Sequence, residues 1–186
     1  MSQKEIRLLQ TYGLSEVGIL RSQSKSSNSL WVKVGGEGYK TRIVDGILQI
    51  KAESAMLGYL NAPTPLTEDG WFITGDEVLH KGDYIKILGR KTEIINVGGE
   101  KVYPQEIENV ILKMDNVVEV TVYGEKNAIV GNIVCAKVRL DENEGEKEFS
   151  IKLKQYCRNK MQEYKVPVKI RIVQQNQFSE RFKKIR

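Results

Sequence analysis

One stretch, residues 70–108, constrains this chain more than any other: GWFITGDEVLHKGDYIKILGRKTEIINVGGEKVYPQEIE. Strand-like runs at 84–88 and 93–97 are cut by glycines at short intervals. Pro104 then sits where a first helical turn tolerates proline, because the missing N–H has no intrahelical partner there. Ile107, Val110, Ile111 and Met114 follow at helical spacing, with Glu106 and Glu108 near the end of the helix dipole that favours acids. A linker has little use for so many special positions. The stretch reads as the join between two units, with ligand-facing loops on both sides.

Upstream of the join the signal is β. Runs within 30–59 alternate apolar and polar residues, and Asp45-Gly46 between two of them is a hairpin signal. Residues 21–29 are polar and Ser-rich and read as a loop. Trp71-Phe72-Ile73 reads as a short strand and Gly75-Asp76 as a turn. Downstream, a small hairpin around Gly98-Gly99, a helix from Pro104, strands at 117–123 and 129–140, an amphipathic helix at 149–164 and a strand at 168–173 give an α+β pattern. The expected division is 1–89, a β subdomain, and 90–186, a small α+β domain.

Composition narrows the function classes. The chain has 186 residues, 40% hydrophobic and 28% charged, with net charge +5. That charge suits a solvated basic surface or attraction to a polyphosphate ligand. With no run of five Lys or Arg, a nucleic-acid footprint is not indicated. Cys135 and Cys157 lack metal-ligand spacing, and two free thiols suit a reducing cytosol. A single histidine, His80, excludes a His-rich metal site. No apolar run nears eighteen residues and the N-terminus has no signal-peptide pattern, so neither membrane insertion nor secretion is expected.

Four segments, in order, resemble motifs of the adenylate-forming enzymes, the family of acyl-CoA synthetases, peptide-synthetase adenylation domains and luciferases. Tyr12-Gly13-Leu14-Ser15-Glu16 resembles the family's aromatic-Gly-X-Thr/Ser-Glu. Residues 70–76, Gly-Trp-Phe-Ile-Thr-Gly-Asp, resemble its Gly-Trp-aromatic-X-Thr-Gly-Asp. Gly89-Arg90 through Gly99, followed by Pro104-X-Glu106-Ile107-Glu108, resembles a third, and Lys184-Ile185-Arg186 resembles the C-terminal Gly-Lys-Ile-X-Arg. The second and third at this spacing are highly specific. The phosphate loop and most of the acyl pocket belong to the family's larger N-terminal domain and are not in this sequence.

The resemblance implies an ATP-dependent carboxylic acid–CoA ligase, of which this chain is the C-terminal part: the last β subdomain of the large domain, then a mobile α+β domain. Its expected ligands are a small carboxylic acid, ATP, Mg²⁺ and CoA, its expected partner the N-terminal domain of the parent protein, and its expected location the cytoplasm. Tyr12 would stack on adenine, Ser15 would hydrogen-bond a phosphate, and Glu16 would hold Mg²⁺, a cation that takes hard oxygen ligands. Asp76 would accept from both ribose hydroxyls, a natural match of two acceptor oxygens to a vicinal diol. Arg90 would reach ribose or phosphates. Thr92 stands at the hinge, where the family often has Asp or Lys. Gly99 would approach the CoA thiol arm, since glycine lets backbone come close to a ligand. Lys184 would bridge the carboxylate and the α-phosphate; Lys183, standing where the family has Gly, leaves the register open between the two lysines. The alternatives are a peptide-synthetase adenylation fragment, which would carry a carrier-protein domain downstream, and a stand-alone binding module.

Overall fold

The computed structural model describes residues 11–24, 26 and 29–174. The chain divides into two units, Met1–Lys91 and Thr92–Arg186. Together they make an α+β protein whose two described α-helices both lie in the second unit.

The first unit is a seven-stranded antiparallel sheet. Its strands are β1 (Tyr12–Leu14), β2 (Gly18–Ser24), β3 (Val32–Gly35), β4 (Tyr39–Val44), β5 (Ile47–Ala52), β6 (Phe72–Lys81) and β7 (Tyr84–Arg90). Their order is β1-β2-β3-β7-β6-β5-β4. Tyr12, Val17 and Leu20 from one end share a core with Leu48, Ile50 and Phe72 from the other, so the sheet curls over on itself. Asp45 and Gly46 both adopt positive φ in the β4–β5 turn, at 50° and 76°, as the Asp-Gly hairpin signal requires.

Two local expectations fail here. Residues 21–24 are not loop but the second half of β2, paired with β3 from Arg21 to Ser24. Only Leu20 of that strand is fully buried, so its polar sequence hides a strand held by neighbours on both sides. Gly75-Asp76 is not a turn but the interior of the ten-residue β6. The chain does deviate there: β5 advances from Gln49 to Ile47 while β6 advances from Ile73 to Glu77. The surplus residues form a bulge, with Gly75 at φ 76°, a conformation glycine adopts without a Cβ penalty.

The second unit keeps the expected order. Strands β8 (Ile95–Val97) and β9 (Glu100–Val102) form the hairpin, followed by α1 (Pro104–Ile111), β10 (Val117–Asn127), β11 (Gly131–Leu140), α2 (Glu146–Arg158) and β12 (Lys169–Ile172). β10 and β11 are antiparallel, whereas β12 joins β11 in parallel from Cys135–Lys169 to Val138–Ile172. A parallel pair needs a crossover, and α2 supplies it.

Both helices bury one stripe. Ile107 and Ile111 of α1, and Phe149, Leu153 and Cys157 of α2, are 0–1% exposed at i, i+4 spacing, and each large side chain contributes about 1.5–3 kcal/mol by leaving water. α2 starts before residue 149 and stops at Arg158, and Ile151 faces solvent. Glu146 and Glu148 in its first turn and Arg158 in its last complement the helix dipole. Burial pushes the Cys157 thiol up to about 11, which makes it a packing residue rather than a nucleophile. Among the described residues, no helix is long and apolar enough to cross a membrane.

Candidate functional site

Asp76 is the centre of a polar cluster in the first unit. Phe72, Thr74, Asp76 and Val78 alternate onto the buried face of β6, so the carboxylate is carried on the core side of a strand. Thr74 fixes its backbone: the hydroxyl donates to the Leu48 carbonyl at 2.8 Å and accepts the Asp76 N–H at 3.0 Å.

Only 8% of Asp76 is exposed, and a buried carboxylate needs partners. Tyr12, from the opposite end of the sheet, donates its hydroxyl to Oδ2 at 2.5 Å. Arg90 lies directly across in the β6–β7 register, with Nε 3.6 Å from Oδ1. That separation is an ion pair rather than a good hydrogen bond, so Oδ1 keeps acceptor capacity. Burial first, and the Asp76 charge second, push the Tyr12 hydroxyl pKa far above its ordinary value.

Ser15 and Glu16 follow β1 in a turn closed by Val17 N–H donating to the Leu14 carbonyl. Glu16 Oε2 accepts from the Ser15 hydroxyl at 3.2 Å, and Oε1 accepts from the Tyr59 hydroxyl at 2.6 Å. The Tyr59 bond, with a smaller contribution from the Arg90 guanidinium, holds the Glu16 carboxyl below its usual range. Arg90 thus acts electrostatically on both Asp76 and Glu16.

Of the expected site residues, Tyr12, Ser15, Glu16, Asp76 and Arg90 lie in this unit, with Tyr12, Asp76 and Arg90 in one connected cluster. Thr92 is exposed in a 3-10 turn at Lys91–Glu93, and the boundary between units falls between Lys91 and Thr92. Gly99 is exposed at the tip of the β8–β9 hairpin, where Gly98 and Gly99 have φ of 58° and 93°. A Cβ built on Gly99 meets nothing within 4 Å. Lys183 and Lys184 lie outside the described residues.

Tyr59 and Thr74 are participants that inspection of the sequence misses. Thr74 stands inside a motif, where its neighbour Asp76 draws the attention. Tyr59 gives no local signal, since it meets Glu16 across 43 residues.

Residues 106–182 match the model of the AMP-binding enzyme C-terminal domain. That segment is an AMP-binding enzyme C-terminal domain, and the chain as a whole is similar to adenylate-forming, AMP-binding enzymes. It is 34% identical to probable acyl-activating enzyme 6 of Arabidopsis thaliana, over 86% of this chain and 28% of that one. It is 32% identical to 2-succinylbenzoate–CoA ligase of Listeria monocytogenes, over 92% of this chain and 38% of that one. Among solved structures, ATP-bound MatB from Rhodopseudomonas palustris superposes with a TM-score of 0.74 at 27% identity, covering 91% of this chain and 37% of that one. The chain therefore spans roughly a third of the length of these relatives.

Where Mg²⁺ accompanies nucleotide phosphates it is bound with them rather than in a protein cage. Such a cation takes one or two carboxylates and fills its remaining positions with phosphate oxygens and water. Among the described residues, no group of three or more His, Cys, Asp or Glu makes an all-protein metal cage. A single half-exposed carboxylate, Glu16, held in place by two hydroxyl donors, fits the first arrangement.

Proposed function

We propose that this chain is the C-terminal part of an ATP-dependent carboxylic acid–CoA ligase, and that its first unit carries the ribose and metal-binding side of the nucleotide site. The observation that carries the proposal is Asp76: a buried carboxylate on the core face of a strand, with a tyrosine on one oxygen and an arginine across the strand from the other. A vicinal diol fits the acceptor capacity that remains on such a carboxylate.

In the first half-reaction the substrate carboxylate attacks the α-phosphate of ATP and pyrophosphate leaves. In the second a thiol, that of CoA, attacks the acyl-adenylate and AMP leaves. Asp76 binds the ribose, the Tyr12 ring flanks adenine, and Ser15 and Arg90 lie toward the phosphates. Glu16 is the protein's ligand to Mg²⁺, which neutralises phosphate charge when bound. Lys184 reaches the reacting carboxylate and α-phosphate as a point charge on a flexible stem. Thr92 is the pivot of the second unit, and Gly99 is its approach to the thiol. The small-molecule acid, ATP and CoA are the ligands, and the large N-terminal domain is the intramolecular partner. Two free, buried thiols agree with the cytoplasm, although named relatives include peroxisomal and mitochondrial forms.

The test is carboxylate-dependent exchange of pyrophosphate into ATP, run on the intact ligase and on the 186-residue chain alone. Exchange by the intact protein and none by the chain is expected. Exchange by the chain alone, or none by the intact protein, contradicts the proposal.

A further inference from the structure

The loop after β5 makes one contact that the nucleotide site described above does not account for. Tyr59 projects its hydroxyl onto Glu16 Oε1 at 2.6 Å. This contact belongs to a scaffold. Met56 N–H donates to the Glu16 carbonyl at 2.8 Å, and the Ser54 hydroxyl donates to the Val17 carbonyl at 2.9 Å. Tyr59 is itself held, its N–H donating to Thr64 Oγ1 at 2.8 Å. The same loop therefore grips the backbone and the side chain of Glu16 at once.

Ala55 and Met56 anchor the start of the loop on the core, but Tyr59 itself is not part of that cluster and is 43% exposed. Leu57 and Leu60 are 102% and 100% exposed. Flanked by exposed leucines, the Tyr59 ring has its hydroxyl bond to Glu16 as its specific polar anchor. Glu16 has side-chain rotamer freedom to lose on binding a cation, and a hydroxyl on Oε1 fixes its rotamer beforehand. Oε2, which carries the longer 3.2 Å contact from Ser15, is left as the oxygen for the cation.

We infer that Tyr59 is a positioning residue that presets Glu16 for one-oxygen binding of a divalent cation at the nucleotide phosphates. The inference rests on Glu16 being the metal ligand of the nucleotide site. Partners that orient a metal ligand commonly matter about 10–100-fold in metal affinity.

The experiment follows Mn²⁺ binding to the intact ligase by the loss of its free-ion EPR signal, with α,β-methylene-ATP present. Tyr59→Phe, which removes only the hydroxyl, is expected to weaken Mn²⁺ binding about tenfold. Glu16→Gln weakens it at least as much, and the double variant binds no worse than Glu16→Gln alone, because the tyrosine acts only through the carboxylate. Leu60→Ser, in the same loop, leaves Mn²⁺ affinity unchanged. If Glu16→Gln weakens Mn²⁺ and Tyr59→Phe does not, the role of Tyr59 is overturned while the nucleotide site stands. If Glu16→Gln itself has no effect, Glu16 is not the ligand, and both the metal assignment and the inference fall. Additive losses in the double variant overturn the positioning role, since Tyr59 would then act independently.

Discussion

The Tyr12 hydroxyl donates to Asp76 Oδ2 across 2.5 Å, although 64 residues separate the two in sequence. The bond ties the first strand of the curled sheet to its bulged sixth strand, and it keeps a buried carboxylate ordered before any ligand arrives. Tyr12→Phe should therefore lower the stability of the first unit by about 1–3 kcal/mol. It should also change the alkaline response. Tyr12 keeps its proton in the folded state while an unfolded tyrosine loses it near pH 10. The folded state then binds more protons above that pH, so the stabilisation is complete below about pH 10 and is lost as pH rises beyond it. Urea unfolding midpoints from pH 8 to 11 should fall less steeply in Tyr12→Phe than in the parent chain.

Thr74 tests the bulge. Thr74→Val keeps the shape of the side chain but leaves the Leu48 carbonyl and the Asp76 N–H without their shared hydroxyl. A loss of about 2 kcal/mol is expected from buried unsatisfied groups. Thr74→Ser should recover most of it. Chemical denaturation of the three proteins decides the matter.

Glu108 tests the second unit. It is 2% exposed on α1 and accepts the backbone N–H of Val122 at 2.9 Å, so it stitches the helix to β10. Glu108→Ala strands that N–H and should destabilise by about 2–3 kcal/mol. Glu108→Gln keeps an acceptor and should cost less. Thermal melting is the measurement.

The two half-reactions should separate by mutation in the intact ligase. Lys184→Ala should slow pyrophosphate exchange while sparing thioester formation from supplied acyl-adenylate. Gly99→Leu should do the reverse, because its backbone sits at φ 93° with open space around it and a large side chain there would obstruct an approaching thiol arm. Paired assays showing equal losses in both steps for either variant would contradict this division.

Much of the architecture was legible because the second unit obeys simple rules. Ile107–Ile111 and Phe149–Leu153–Cys157 repeat at helical spacing and bury their stripe. Pro104 starts a helix, and Gly98-Gly99 makes a hairpin turn. The first unit was harder to read. Its strand β2 is polar and owes its form to β1 and β3. Gly75-Asp76 carries turn-like residues inside a strand, since a bulge and a turn both recruit glycine at positive φ. Motif resemblance singled out Tyr12, Asp76, Arg90 and Glu16, but not that the Tyr12 hydroxyl holds Asp76 or that Tyr59 holds Glu16, pairings at separations no local pattern reports.

The central claim is that Asp76 reads a ribose diol. Its most direct test compares ATP with 2′,3′-dideoxy-ATP as substrates for pyrophosphate exchange, in the intact ligase and in its Asp76→Ala variant. The unmodified ligase should prefer ATP by about 10²-fold or more in kcat/KM, because a site built to hydrogen-bond a hydroxyl rejects the analogue that lacks it. In Asp76→Ala that preference should collapse toward unity. A preference for ATP that survives unchanged in Asp76→Ala would contradict the account.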